Sequence, residues 1–192
     1  MTPYSIYLHI PFCQQRCNYC DFNTFAGLET LIPEYMRALE QEIQCLTMGV
    51  EEAIPVHTIY FGGGTPSLLP QDEISRILRV LDTTFALDSS TEITLEANPG
   101  TLSPDYLRDL RFLGVNRLSV GMQSARPAEL ALLGRQHAYW DVAEAVKWAR
   151  QAGFDNLSLD LIFGLPAQTL EHWETSLTLS LGLAPSISPF TP

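Results

Sequence analysis

Tyr7-Leu8-His9-Ile10-Pro11-Phe12-Cys13-Gln14-Gln15-Arg16-Cys17-Asn18-Tyr19-Cys20-Asp21-Phe22 carries three of the chain's four cysteines, Cys13, Cys17 and Cys20, within eight residues. Such a run reads as a loop that points its sulfurs at a common centre, a metal cradle. Disulfides explain it less well, because three is an odd number and the remaining Cys45 falls in an expected helix. A structural zinc site closes with four ligands, and the next histidine downstream, His57, stands alone. Thiolates in a short run also suit iron–sulfur clusters, which usually take four cysteines. Three cysteines on a [4Fe–4S] cluster leave one iron with an open position, and an open position on a metal is where a substrate or cofactor binds.

Outward from the cysteines, strand and helix patterns alternate. Tyr4–Ile10 reads as a strand. Met36, Leu39, Ile43 and Leu46 mark an amphipathic helix beginning near Pro33. A second strand at Val56–Phe61 runs into Gly62-Gly63-Gly64-Thr65-Pro66, and a helix follows with Ile74, Ile77, Leu78 and Leu81 on one face. A third strand, Thr91–Glu96, leads to a helix opened by Ser103-Pro104 and closed by Gly114. A fourth, Val115–Val120, precedes a short helix after Pro127 and a longer one from about Asp141 to Ala152, stopped by Gly153. A fifth, Asn156–Phe163, is followed by a helix using Leu170, Trp173, Leu177 and Leu181, and a weak sixth lies around Ile187–Phe190. Strands separated by helices imply right-handed crossovers and a parallel sheet. The expected fold is α/β, a partial (β/α) barrel with outer helices, against a flat doubly wound sheet as the rival. No linker rich in Gly, Pro or Ser divides the chain, so residues 1–192 read as one domain.

In parallel α/β folds the ligand site forms at the carboxyl ends of the strands. The chain's unusual residues sit there. The cysteine loop follows the first strand, the glycine run the second, Glu96 ends the third, Gln123 follows the fourth, and Asp160 lies late in the fifth. Consecutive glycines let backbone approach a ligand closely, though the same run also makes a tight turn. It is neither a Walker A loop nor a Gly-x-Gly-x-x-Gly fingerprint.

Cys-x3-Cys-x2-Cys with Tyr19 before the last cysteine resembles the signature of the radical S-adenosylmethionine (SAM) superfamily. Tyr-x-His-Ile-Pro-Phe ahead of it is similar to the oxygen-independent coproporphyrinogen III oxidase family and its close relatives, the HemW-type haem chaperones. Leu-Glu-Ala-Asn-Pro, Gly-Met-Gln-Ser, Gly-Arg-Gln-His and Asp-Leu-Ile-Phe-Gly-Leu-Pro resemble further motifs of that family in the expected order. The resemblance implies that Cys13, Cys17 and Cys20 hold a [4Fe–4S] cluster whose open iron is chelated by SAM. An electron from the cluster then cleaves the sulfonium carbon–sulfur bond to give methionine and a 5′-deoxyadenosyl radical. It further implies that Gly63, Gly64 and Thr65 line the methionine end and that Tyr7 and Tyr19 are SAM-adjacent aromatics. Chemistry supplies the rest: Glu96 suits the ammonium, Arg135 the carboxylate, and Gln123 and Asp160 the ribose hydroxyls. His9 and His137 are expected to be satisfied structural histidines, and Cys45 an inert buried thiol.

Two departures separate the relatives. Coproporphyrinogen dehydrogenases resemble Cys-x3-Cys-x2-Cys-x-Cys behind an amino-terminal extension, whereas this chain has Phe22 at the extra position and 12 residues before Cys13. Cys-Asp-Phe is similar to the haem chaperones, which bind haem and pass it to membrane haemoproteins. The alternative is radical decarboxylation of coproporphyrinogen in porphyrin biosynthesis. The family's cofactors and partners would then be the cluster, SAM, haem or a porphyrinogen, and an electron donor such as flavodoxin or ferredoxin. Family members also continue past residue 192, so the core domain reads as truncated near the sixth strand, without the carboxy-terminal domain.

Composition agrees with a globular chain: 46% of its 192 residues are hydrophobic. The net charge of −11 repels polyanions, which disfavours nucleic acid as a partner. No basic residue precedes Arg16, and the apolar tract Leu177–Leu183 is broken by Thr178, Ser180 and Gly182. A cytoplasmic location is expected, where a reducing medium preserves thiolates.

Overall fold

The computed structural model describes residues 3–50, 52–186 and 190–191. Strands β1 (Tyr4–Ile10), β4 (Val56–Gly63), β5 (Glu92–Ala97), β6 (Arg117–Gln123), β7 (Asn156–Ile162) and β8 (Phe190–Thr191) form one sheet in the order β1-β4-β5-β6-β7-β8. Every pairing is parallel. Each new strand joins the same growing edge, so the order never reverses as it must in a doubly wound sheet. Right-handed crossovers in one direction put the connecting helices on one face and curl the sheet towards closure. This is the partial barrel, and the doubly wound alternative falls. Positions 187–189 of the expected sixth strand lie outside the described residues.

The helices are α1 (Ile32–Leu46), α2 (Gln71–Thr84), α3 (Pro104–Phe112), α4 (Pro127–Leu132), α5 (Tyr139–Gln151) and α6 (Leu170–Gly182). Alternate strand residues face them. Ile59 and Phe61, Leu118, Val120 and Met122, and Leu157, Leu159 and Leu161 are all fully buried. They meet Met36 and Ile43 of α1, Ile74, Ile77 and Leu81 of α2, Leu107 and Leu110 of α3, and Val142, Ala145 and Ala149 of α5 in one core. Each large aliphatic side chain taken from water there contributes about 1.5–3 kcal/mol before the entropy of ordering it. The other set of alternating positions, Tyr60, Thr94, Glu96, Arg117, Ser119 and Asp160, points to the concave side, which is polar. Period-two alternation thus separates a face for folding from a face for chemistry.

Local signals end the helices as expected. Ser103 Oγ accepts from the Tyr106 amide at 3.2 Å with Pro104 in the first turn, and Thr169 Oγ1 accepts from the His172 amide at 3.2 Å. Four expectations change. Gly62 and Gly63 belong to β4 instead of the turn after it. Strand β6 starts at Arg117: the Val115 amide closes α3 by bonding Leu110 O at 3.1 Å, and the Asn116 amide joins the chain to β5 through Ile93 O at 3.0 Å. Cys45 is exposed, since α1 buries Ile32, Met36, Leu39 and Ile43 while Cys45 and Leu46 turn to solvent. Helix α6 docks through Ser176 and Ser180, leaving Leu170 and Leu181 exposed.

Candidate cofactor site

The cysteine loop is pinned at both ends. A two-stranded parallel ribbon, β2 (Phe12–Cys13) with β3 (Phe25–Ala26), closes its base. The amides of Gly64 and Thr65 bond Ile10 O and Phe12 O, each at 2.8 Å, and strap the glycine turn against Cys13. At the far side Asn18 reaches the end of α4, its amide bonding Leu133 O at 3.1 Å and its Nδ2 donating to Leu132 O at 2.9 Å. Gln136 Nε2 donates to Gln15 Oε1 across the same seam. Gly64 is required here: a Cβ would stand 2.6 Å from Phe12 O, 2.8 Å from Ile10 O and 3.0 Å from Cys13 Sγ.

All three cysteines are unpaired thiols and line one cavity. Burial pushes the Cys13 thiol up from its ordinary value; bonds from Thr65 and Thr24 pull it back down, and the charges of Cys20 and Cys17 push it up further. Thr65 Oγ1 lies 3.6 Å from Cys13 Sγ, and Thr24 Oγ1 3.5 Å from Cys20 Sγ. Among the described residues no three His, Cys, Asp or Glu side chains are grouped tightly enough to hold a single metal ion. A mononuclear zinc would need its thiolates about 2.3 Å from one centre. Three thiols lining one cavity fit a cluster, where each sulfur takes a different iron.

The cavity encloses about 780 Å³ and is lined by Tyr19, Gly63, Gly64, Thr65, Glu96, Gln123, Arg135 and Asp160 together with the cysteines. Glu96 is fixed on two sides: Tyr60 Oη donates to Oε1 at 2.7 Å and the Gly63 amide to Oε2 at 3.1 Å. Burial, then the Glu96 charge, drives the Tyr60 phenol well above its ordinary range, so it remains a donor. Arg135 lies over the Tyr19 ring, 5.9 Å from its centroid. Its Nε is buried with no hydrogen-bond partner, and no salt bridge engages it among the described residues. That leaves one buried donor of a guanidinium that lines the cavity without a partner, suited to an anionic group. Burial pushes the Tyr19 hydroxyl up to about 12.

Asp160 stands deeper. Burial raises its carboxyl to about 6, opposed by the Ser119 hydroxyl, raised further by Glu96, and lowered by Arg117 and Arg135. Gln123 ends β6 in a left-handed conformation at φ 64° and, in step with Arg117, Ser119 and Gly121, lines the cavity. Gly121 makes the room: a Cβ there would sit 2.7 Å from Gln123 Nε2 and 2.9 Å from Arg135 Nη2.

Eleven of the twelve residues anticipated from sequence therefore line one cavity. Tyr7 does not line it. It stacks on Tyr60 with centroids 6.0 Å apart and its hydroxyl meets His9 Nδ1 at 3.2 Å. His9 also bonds Asn23 O at 2.9 Å; His137 is buried with Nε2 3.1 Å from Met122 O and Nδ1 without a hydrogen bond, so it is only half satisfied where a satisfied histidine was expected. Sequence reading missed Tyr60, Arg117 and Ser119, and quoted Ile162–Pro166 as part of a family motif without placing it at the site. The signal for the first three was the alternation itself, Thr-Ile-Tyr-Phe in β4 and Arg-Leu-Ser-Val-Gly in β6.

No helix among the described residues is long and apolar enough to cross a membrane. Comparison with known proteins adds the rest. Heme chaperone HemW of Bacillus subtilis is 41% identical over 180 residues, 93% of this chain and 47% of the relative. Heme chaperone HemW of Synechocystis is 40% identical over 191 residues, 96% and 46% of the two. The solved structure of coproporphyrinogen III oxidase (HemN) from Escherichia coli, described as a radical SAM enzyme, aligns with a TM-score of 0.90 at 34% identity, covering 98% of this chain and 43% of that one. The chain spans about half the length of the curated relatives it matches. The Radical SAM superfamily matches residues 7–179, and with that the cysteine loop and the five strand ends gain one explanation: the chain belongs to the radical SAM superfamily, whose membership implies a [4Fe–4S] cluster and S-adenosylmethionine.

Proposed function

We propose that this chain is the cofactor-binding part of a haem chaperone, a radical SAM protein that binds haem and transfers it to haemoproteins. The observation that carries the reading is the convergence of three thiols, a carboxylate held by two donors and an unpartnered buried guanidinium nitrogen on one cavity. Similarity to curated heme chaperones supplies the haem, and Phe22 in place of a further cysteine agrees with it.

On this reading Cys13, Cys17 and Cys20 hold three irons of the cluster. When bound, the cluster supplies the electron that cleaves a sulfonium carbon–sulfur bond of SAM. Glu96, oriented by Tyr60 and the Gly63 amide, receives the ammonium of SAM. Arg135 pairs with its carboxylate, and Gly64 and Thr65 give backbone clearance beside Cys13. Gln123 and Asp160 take the ribose hydroxyls, Tyr19 shields the cluster side, and the wall from Ile162 to Pro166 excludes water. Residues 1–192 lie within a radical SAM core domain that works in the cytoplasm. An electron-transfer protein such as flavodoxin or ferredoxin is the reductant, and membrane haemoproteins are transient recipients. Nucleic acid is not a partner, given the charge of −11.

Anaerobic reconstitution with iron and sulfide, followed by EPR of the reduced protein with and without SAM, tests the site. A spectrum perturbed by SAM supports it; uptake of zinc without iron or sulfide overturns it. A second reading, oxidative decarboxylation of coproporphyrinogen III, is favoured by the close match to the Escherichia coli oxidase. Haem binding without porphyrinogen turnover supports the chaperone, and turnover supports the oxidase.

A further inference from the structure

Glu129 lies outside the cavity, in α4, yet it is 7% exposed and sits where three segments meet. Its Oε2 accepts from Ser124 Oγ at 2.6 Å and from Gln168 Nε2 at 3.0 Å. Its Oε1 is buried without a hydrogen bond, with Arg126 Nε at 3.8 Å and His172 Nδ1 at 3.6 Å. Burying a carboxylate is costly unless the position returns something for it.

What it reaches through Gln168 is the cavity wall. Phe163, Gly164, Leu165 and Pro166 line the cavity between β7 and α6. The loop is bent at both ends by left-handed residues, Gly164 at φ 75° and Ala167 at φ 61°, and for alanine that conformation is unfavourable by about 1–2 kcal/mol. Gln168 closes the bend: its backbone amide bonds Leu165 O at 2.9 Å and its Oε1 accepts from the Gly164 amide at 2.8 Å. The side-chain amide has one orientation only. Rotating it by half a turn would set NH2 against the Gly164 N–H and oxygen against the Glu129 carboxylate, losing both bonds. Ser124, the other partner, follows Gln123 directly. It bonds Ser176 of α6 at 3.2 Å, and Ser176 accepts from the Ala125 amide at 3.1 Å. One buried carboxylate therefore ties the loop after β6, the loop after β7 and helix α6 together.

We propose that Glu129 is a positioning residue: through Gln168 it holds the 163–168 loop in the conformation that walls the cofactor cavity. The relation to SAM rests on the reading of the cavity given above. The hold on the loop does not.

The experiment is a swap. Gln168→Glu keeps an acceptor for Gly164 but sets a carboxylate against Glu129; adding Glu129→Gln restores a donor–acceptor pair with its direction reversed. Amide hydrogen exchange at Gly164 is measured on the reconstituted protein without SAM, and SAM affinity by equilibrium titration. Gln168→Glu is expected to speed Gly164 exchange about tenfold or more and to weaken SAM binding about tenfold, with the double variant returning both to within about threefold of the parent. Should Gln168→Glu fold poorly, Gln168→Met removes both polar arms at similar length and is expected to speed exchange alike. Unchanged exchange in Gln168→Glu or Gln168→Met, or a double variant as open as Gln168→Glu, overturns the proposal. Faster exchange with SAM affinity unmoved upholds the hold on the loop and counts against the cavity as the SAM seat.

Discussion

The Ser119 hydroxyl lies 2.9 Å from Oδ1 and 3.1 Å from Oδ2 of Asp160, one donor shared by both oxygens of a carboxylate. Ser158 donates in turn to Ser119 at 2.9 Å, so the hydroxyl proton of Ser119 is committed to Asp160. This is the contact that keeps a buried acid ionised near neutrality.

The pH dependence follows in sign. Folded Asp160 titrates at about 6 against 3.8 unfolded, so it binds its proton more tightly when folded. Its contribution to stability is full below 3.8 and is lost as pH rises through about 6. On the proposed role of Asp160 at the ribose hydroxyls, which need the carboxylate as acceptor, SAM binding runs the other way: affinity should climb through pH 6. Ser119→Ala removes the stabilising donor and should move that midpoint upward by about one unit, with SAM binding at pH 6 weakened several-fold. Titration of SAM affinity from pH 5 to 8 checks it; a midpoint that stays in place contradicts the role assigned to Ser119.

Gly121 gives a sharper probe of the same rim. A methyl there meets side-chain ends, Gln123 Nε2 at 2.7 Å and Arg135 Nη2 at 2.9 Å, and no backbone. These groups can swing aside, so Gly121→Ala should cost the fold little, about 1 kcal/mol or less. They cannot swing aside and still address one ligand. SAM affinity should fall by tenfold or more with the melting temperature nearly unchanged; loss of both together would assign Gly121 to stability.

How far the sequence reads can be argued from particular residues. Strand β7 was legible because Leu157, Leu159 and Leu161 alternate with polar positions, and the strand-end rule then placed Asp160 at the site. The cysteine loop was legible as a cradle by residue type, but its spacing of four and three positions would equally suit one face of a helix. Its loop character comes from contacts 114 residues away in sequence, such as Asn18 with Leu132, which no local pattern encodes. Helix α6 misled for a different reason. Leu170, Trp173, Leu177 and Leu181 suggested an apolar face, and Trp173 does pack against the core, but the fully buried positions are Ser176 and Ser180, of which Ser176 bonds the loop after β6. Cys45 misled because cysteine is usually buried, whereas α1 turns that side to solvent.

Exposure of Cys45 makes it the internal control for the metal site. Cys45→Ser should leave iron and sulfide content after anaerobic reconstitution unchanged. Cys17→Ala or Cys20→Ala removes one of three ligands and should lower iron content severalfold, because two thiolates on one loop hold a cluster weakly. Iron and sulfide assays on matched preparations decide it. Equal loss in Cys45→Ser would place the fourth cysteine among the ligands and require α1 to move.

The docking of α6 yields a prediction about stability alone. Ser176 Oγ accepts from the Ala125 amide at 3.1 Å and is 1% exposed. Ser176→Ala leaves that amide without an acceptor in a site closed to water, which costs about 1–3 kcal/mol. At this chain length that lowers the melting temperature by roughly 2–4 °C per kcal/mol. Leu181→Ser changes a far larger apolar group, but Leu181 is 58% exposed, and surface changes of this kind stay within about 0.5 kcal/mol. Thermal melts of the two variants therefore rank opposite to what residue type suggests, with the serine variant the less stable. A larger loss in Leu181→Ser would restore the leucine face as the side of α6 that packs.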